Sequence, residues 1–257
     1  MIQMIIMDLD GTLLKSDKSI SNYSISILEE CKRKGIKIAI ATARSEKAAE
    51  RSLMLIKPNI MILNGGALVK KDDGQIIYKK LLSKDTSDGI IKDCIHSDNI
   101  GDFTVETEEN YFVSYKDKSN HPDYMHGIYY NFNKPLFKET YKITVEIFSE
   151  NTASEISKKY KECDIIKFTE ENWYRFAHRE AGKAQAIEKI TLSEKIDIKK
   201  IVSFGDDYND IGMIEKCGIG IAMENGIDEI KKVSKYICGK NDEDGVAKWI
   251  KKNILIE

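Results

Sequence analysis

Proline is scarce in this chain, with 3 in 257 residues, and glycine contributes only 16. That composition excludes a collagen repeat and a low-complexity linker. Neither sign of charge prevails: 40 Lys and Arg face 42 Asp and Glu, a formal net charge of −2. The bulk basic excess that would point to nucleic acid or an anionic membrane surface is missing. No apolar run approaches the roughly 18 residues that a membrane span needs. The opening MIQMIIMDLD lacks the cationic start and long apolar middle of a secretory signal. Cysteine is sparse and scattered (Cys31, Cys94, Cys163, Cys217 and Cys238). No CxxC pair is available to hold zinc, and one of the five is odd. Reduced thiols in a cytoplasmic protein are the expectation.

Apolar mass arranged in a rhythm is what the chain does have. Hydrophobic residues make up 42% and charged residues 32%, enough for a sizeable core. No repeat of fixed period is present. Ile2–Met7 is a compact apolar run suited to a strand buried on both faces. Ser21–Lys34 follows, with Ile25, Leu28 and Cys31 at helical spacing and Gly35 as its stop. Ile36–Ala41 reads as a strand, Ser45 caps a helix running to Ile56, and Ile60–Leu63 is a third strand ending at Asn64-Gly65-Gly66. This alternation predicts a parallel sheet with helices on both faces.

The rhythm returns late in the chain. Lys183–Leu192, Ile211–Cys217 and Ile227–Val233 read as helices. Ile201–Phe204, Ile219–Ala222 and Tyr236–Cys238 read as strands, and Val246, Trp249 and Ile250 mark a last helix. The middle differs. Phe103–Tyr115 alternates across Glu109-Asn110 as a hairpin does. Tyr141–Phe148 is a strand, Ala153–Tyr160 a helix, and Ile165–Phe176 a second hairpin around Glu170-Glu171-Asn172. The predicted architecture is an α/β core, residues 1–81 and 182–257, with an α+β domain inserted at 82–181.

Polar side chains gather where the predicted core strands end. Asp8 and Asp10 close the first strand in Asp8-Leu9-Asp10-Gly11-Thr12. Asp-Gly is also a hairpin signal, but no alternating return strand follows. Ligands of open α/β sheets bind beyond the carboxyl ends of strands. Thr42-Ala43-Arg44-Ser45 lies between a strand and a helix, where fresh N–H groups suit an anion, although an ordinary N-cap has the same look. Gly205-Asp206-Asp207-Tyr208-Asn209-Asp210 ends a third strand. Its hard oxygen donors suit Mg²⁺ rather than zinc. Lys183, taken alone, is an ordinary surface lysine, but it stands at the return to the core.

In this order the segments resemble the haloacid dehalogenase superfamily, and the long insert with Asn64-Gly65-Gly66-Ala67 upstream resembles its Cof-type branch, subfamily IIB with a C2-type cap. Two small departures stand out: Thr42-Ala43-Arg44 where the family often has Thr-Gly-Arg, and Gly182-Lys183-Ala184 where it often has Ser-Lys-Gly. The resemblance implies a Rossmann-like core and a cap that selects the substrate. It implies a Mg²⁺-dependent phosphatase acting on a small phosphorylated metabolite, most commonly a sugar phosphate. Asp8 would be the nucleophile and Asp10 the acid/base. Asp8, Asp206 and the Asp10 carbonyl would hold the metal. Leu9 and Ala43 N–H groups with Thr42, Lys183 and Asn209 would surround the phosphoryl oxygens, and Asp210 would orient Lys183 or a metal-bound water.

Arg44, Asn64, Gly65, Tyr111 and Arg175 are candidate substrate contacts. Glu108, His121, His126, Tyr129 and Tyr130 are further polar or aromatic cap residues, and His178 reads as structural. No nucleic acid or membrane partner is expected, and the chain is expected to be a monomer or homodimer. A phosphomannomutase-like phosphomutase is the alternative; Ile211-Gly212-Met213 after the acidic motif looks more like the phosphatase pattern. A non-catalytic protein on the same fold is a third reading, against which the intact Asp8, Asp10, Lys183 and Asp206 argue.

Overall fold

The computed structural model describes residues 1–117, 127–168 and 172–255. The chain divides into two compact units, Met1–Lys79 with Gly182–Glu257, and Lys80–Ala181.

The first unit opens with β1 (Met4–Met7), whose four residues are all buried, as a strand covered on both faces must be. Helix α1 (Asn22–Arg33) starts where the Ser21 side chain accepts from the Ser24 N–H. Its core stripe is Ile27, Leu28 and Cys31, while Ile25 is only half-buried. Gly35 takes a φ of 78° just past its end. β2 (Lys37–Ala41), α2 (Glu46–Ile56, capped by Ser45) and β3 (Ile60–Leu63) complete the βαβαβ run. Two further strands, β4 (Leu68–Lys71) and β5 (Ile76–Lys79), form an antiparallel hairpin beyond β3 that no apolar alternation announces.

In the second unit, α3 (Lys84–Ile95) precedes β6 (Ile100–Glu106), β7 (Tyr111–Val113) and β8 (Ile128–Tyr129). β9 (Lys142–Ile147), α4 (Glu150–Lys159), β10 (Cys163–Lys167) and β11 (Trp173–His178) follow. Both expected hairpins pair antiparallel, Glu106 against Tyr111 and Ile165 against Phe176. Residues 170 and 171 of the second turn, and His121 and His126, lie outside the described residues. Among the described residues the sheet runs β10-β11-β9-β6-β7-β8. Its buried side chains, among them Val105, Ile143, Val145 and Phe176, pack with Ile90 and Ile91 of α3 and Ile156 of α4.

The chain then returns to the first unit through α5 (Lys183–Glu194), β12 (Ile201–Gly205), α6 (Ile211–Lys216), β13 (Ile219–Met223), α7 (Asp228–Val233), β14 (Tyr236–Cys238) and α8 (Gly245–Asn253). The sheet order is β14-β13-β12-β1-β2-β3-β4-β5, parallel from β14 through β3. From β1 the chain winds one way through β2 and β3, and later the other way through β12, β13 and β14. The β1/β12 boundary is therefore the switch point at which such sheets bind ligands. One sheet face buries Met4, Ile6, Ala39 and Ile62 with Ile187 and Ile190 of α5. On β12, Phe204 is fully buried and meets Trp249 of α8 edge-to-face at 5.6 Å.

Phe204→Ala removes a fully enclosed ring. It is expected to lower the unfolding free energy by about 3–5 kcal/mol, read from urea denaturation. A loss below about 1 kcal/mol would show that the site collapses without a cavity.

Candidate active site

β1 delivers Asp8 to the carboxyl edge of the sheet, and the chain then turns sharply. Leu9–Leu13 closes a tight turn in which the Leu14 N–H donates to the Leu9 carbonyl at 2.8 Å. Gly11 makes the bend with φ +74°, and a Cβ built there would overlap the Asp206 carboxylate. A side chain at position 11 would thus be strained and would collide with the next functional group.

Lys183, at the first turn of α5, lies between two acids. Its Nζ donates to Asp8 Oδ1 at 2.6 Å and to Asp210 Oδ1 at 2.6 Å, and its side chain is 1% exposed. The two acidic charges hold the ammonium well above its usual range although burial alone would lower it. Asp210 Oδ2 also accepts from the Asp206 and Asp207 N–H groups at 3.2 and 3.3 Å. Asp210 is therefore committed to the lysine and the loop. Among the described residues, the Asp206 carboxylate accepts only from the Thr12 hydroxyl, at 2.6 Å.

Carboxylate oxygens of Asp8, Asp206 and Asp210 lie within 4.8 Å of one another. Three acids thus face one lysine. Burial, then Asp210, Asp206 and Asp10, push the Asp8 carboxyl well up against the pull of Lys183. Burial first and then the Asp210 charge push Asp206 up to about 7. Excess buried negative charge on hard oxygens is the environment a divalent cation satisfies. The donor set fits such an ion: Lys183 and Thr12 each engage the Oδ1 of Asp8 and Asp206, which leaves the Oδ2 atoms as donors.

Asp10 faces elsewhere. Its Oδ2 accepts from Arg44 Nε at 2.7 Å, and its Oδ1 accepts from Arg44 Nη2 at 2.6 Å and from Lys18 Nζ at 2.9 Å. Burial would raise this carboxyl, but the two cations outweigh it and hold it below its ordinary value. Arg44, expected to touch substrate, is here bonded to Asp10 and reaches the Ala48 carbonyl at 3.4 Å.

Thr42 is buried at the end of β2, its Oγ1 accepting from the Arg44 N–H at 3.1 Å. The Gly65 N–H donates to the Thr42 carbonyl and the Asn64 N–H to the Arg44 carbonyl, both at 2.9 Å, so the ends of β2 and β3 are tied together. Asn64 sits at φ 53°. Among the described residues, the buried Oδ1 atoms of Asn64 and Asn209 have no hydrogen-bond partner.

Tyr111 and Arg175 belong to the second unit. Tyr111 is buried with Val113 and Tyr115. Arg175 is buried too, its Nη2 within 3.5 Å of the Ala181 carbonyl. Tyr129 is exposed under Lys116, and the Tyr130 hydroxyl donates to the Lys134 carbonyl. His178 Nδ1 accepts from the Glu180 N–H. Sequence reasoning missed Thr12 and Lys18. Thr12 stood inside the first motif, but nothing local marked Lys18.

A model of the haloacid dehalogenase-like hydrolases matches residues 5–250. The chain belongs to this family. A relative from Bacillus subtilis, named 5-amino-6-(5-phospho-D-ribitylamino)uracil phosphatase, is 25% identical, over 99% of this chain and 96% of its own. A second Bacillus subtilis protein of the same name is 28% identical over 96% of each chain. A solved phosphatase of this superfamily from Bacteroides thetaiotaomicron has a TM-score of 0.87 at 21% identity, covering 100% of this chain and 96% of that one. Another solved structure, a subclass IIB sugar phosphatase, has a TM-score of 0.86 at 24% identity, covering 99% and 100%. The chain is an enzyme, a phosphatase of the haloacid dehalogenase superfamily with the Rossmann-like core and cap of that fold. No helix among the described residues is long and apolar enough to cross a membrane.

The raised Asp206 carboxyl makes a stability prediction. The folded state binds that proton more tightly than the unfolded chain. It therefore favours folding fully below the ordinary value of 3.8, and the contribution is lost as pH rises towards about 7. In chelator, Asp206→Asn is expected to melt close to wild type near pH 4 and roughly 2–6 °C above it near pH 8. Added Mg²⁺ near pH 8 is expected to raise the wild-type Tm and leave the variant unmoved. A gap that stays flat with pH overturns this account.

Proposed function

We propose that this phosphatase hydrolyses a small phosphorylated metabolite with a sugar-like leaving group, through an aspartyl-phosphate on Asp8 and with Mg²⁺ as cofactor. The carrying observation is the buried ammonium of Lys183 bonded to Asp8 beside the under-neutralised Asp206. The names of the relatives support the substrate class: two refer to a phosphorylated ribityl chain and one structure is of a sugar phosphatase.

Asp8, Asp206 and the Asp10 carbonyl would hold the cation. When bound, it supplies charge neutralisation and polarises the phosphoryl group. Lys183 occupies Asp8 Oδ1, leaving Oδ2 to attack. The Oδ2–phosphorus bond forms as the bond from phosphorus to the leaving oxygen breaks, and that oxygen takes its proton from the Asp10 carboxyl. Asp10, now a carboxylate, then takes a proton from water. The water oxygen bonds to phosphorus, the Asp8–phosphorus bond breaks, and phosphate leaves with Asp8 restored as a carboxylate. Lys183, Thr42, Asn209 and the Leu9 and Ala43 N–H groups surround the phosphoryl oxygens, positioning them and spreading their charge. The inserted unit, residues 82–181, selects the leaving group, with Tyr111 and Arg175 supporting it.

Asp8→Asn is expected to cut phosphate release from a panel of sugar phosphates by at least about 10³-fold with the fold retained. Substantial residual hydrolysis removes Asp8 as nucleophile. Wild type is expected to lose turnover in chelator, regain it with Mg²⁺, and respond poorly to Ca²⁺, whose looser coordination misplaces in-line attack. Return of the phosphoryl group to sugar instead of water would mark a mutase.

A further inference from the structure

The acid/base residue is held by two cations, 8 and 34 residues further along the chain, and the pattern of contacts distinguishes its two oxygens. Arg44 grips both, Nε on Oδ2 and Nη2 on Oδ1, in the planar fork that guanidinium and carboxylate share. Lys18 adds a second donor to Oδ1. A carboxylate oxygen accepts along two lone-pair directions. Oδ1 therefore has both engaged, whereas Oδ2 has one open among the described residues.

Each cation is itself anchored. Arg44 follows Thr42, whose Oγ1 accepts from the Arg44 N–H, and its Nη1 reaches the Ala48 carbonyl. Lys18 lies at φ 63° in a loop closed by Lys15 N–H to the Ser19 carbonyl at 2.9 Å. That loop is tied down where the Ser16 N–H and hydroxyl donate to the two Asp242 carboxylate oxygens at 2.8 and 2.7 Å. The turn carrying Asp10 is held as well, by Asn225 Nδ2 donating to the Gly11 carbonyl and Asn241 Nδ2 to the Leu14 carbonyl.

We propose that Arg44 and Lys18 are positioning residues that fix the Asp10 carboxyl so that Oδ2 alone exchanges the proton with the leaving oxygen and then with water. This rests on the acid/base reading of Asp10 given above. It moves Arg44 from substrate contact to support of the acid, and gives Lys18 a role.

The test is the single-turnover rate of Asp8 phosphorylation with aryl phosphates, from p-nitrophenyl phosphate to unsubstituted phenyl phosphate. Size changes little across this series while the need for a proton rises. In wild type the rate should depend weakly on the leaving group. Arg44→Lys and Arg44→Met are expected to stay within about threefold of wild type on p-nitrophenyl phosphate and to fall at least about tenfold on phenyl phosphate. Lys18→Met should steepen the dependence in the same sense but less. Because Lys18 is half exposed, that variant carries the test if the Arg44 variants fail to fold.

Asp10→Asn is the control. If its dependence steepens and that of the Arg44 and Lys18 variants does not, the positioning role is overturned while the acid/base reading stands. If Asp10→Asn loses rate equally across the series, the acid/base reading fails and this proposal with it. A uniform rise in KM without steepening in the Arg44 variants would return Arg44 to substrate contact and also overturn the proposal.

Discussion

One buried ammonium organises the core site. Lys183 is enclosed with Asp8 and Asp210, 2.6 Å from each, and such a group persists in an interior only when its charge is matched and its protons are bonded. The same bonds fix where the acids stand. Asp210, held also by two loop N–H groups, becomes a strut for the lysine. Asp8 becomes a carboxylate with one oxygen tethered. Asp206 is left over, and that surplus of negative charge makes the place suitable for a cation.

The two aspartates of the first motif are separated electrostatically though only one residue stands between them. Asp8 leaves β1 into the buried cluster. Asp10 has already entered the turn that Gly11 completes, and its side chain meets Arg44 and Lys18. Burial and acidic neighbours dominate at Asp8, and cations at Asp10, so their carboxyls are displaced in opposite directions. The motif thus divides into one carboxyl crowded by acids and one gripped by cations. Placement at the ends of packed strands, tied at Thr42, Gly65 and Gly11, confers the rigidity such a division needs.

The inserted unit has its own hydrophobic core and its own sheet, so its surface can vary without disturbing the first unit's packing. Tyr111 and Arg175 are buried within the inserted unit, which gives each a packing role that a purely substrate-reading residue would lack. A guanidinium shut away from water must be held by polar groups, and the Ala181 carbonyl is one of them.

The sequence by itself determined the alternation of strand and helix, the insertion, and the order of the motifs at Asp8, Thr42, Lys183 and Asp206. Those follow from local apolar periodicity and from polar residues breaking it at strand ends. It was less explicit where periodicity was weak. α3 carries Gly89 in its middle and buries apolar residues only in its second half, at Ile90, Ile91 and Cys94, so no helical stripe stood out. The strands of the β4–β5 hairpin are four residues each, β4 burying only Leu68 and Val69 and β5 burying none, so neither shows a clear alternation. Tertiary structure alone decided which charges meet. Arg44 is 34 residues from Asp10, and Lys183 is 175 from Asp8. Pairing over such separations depends on the packing of β1 between β2 and β12, which no local pattern of residues encodes.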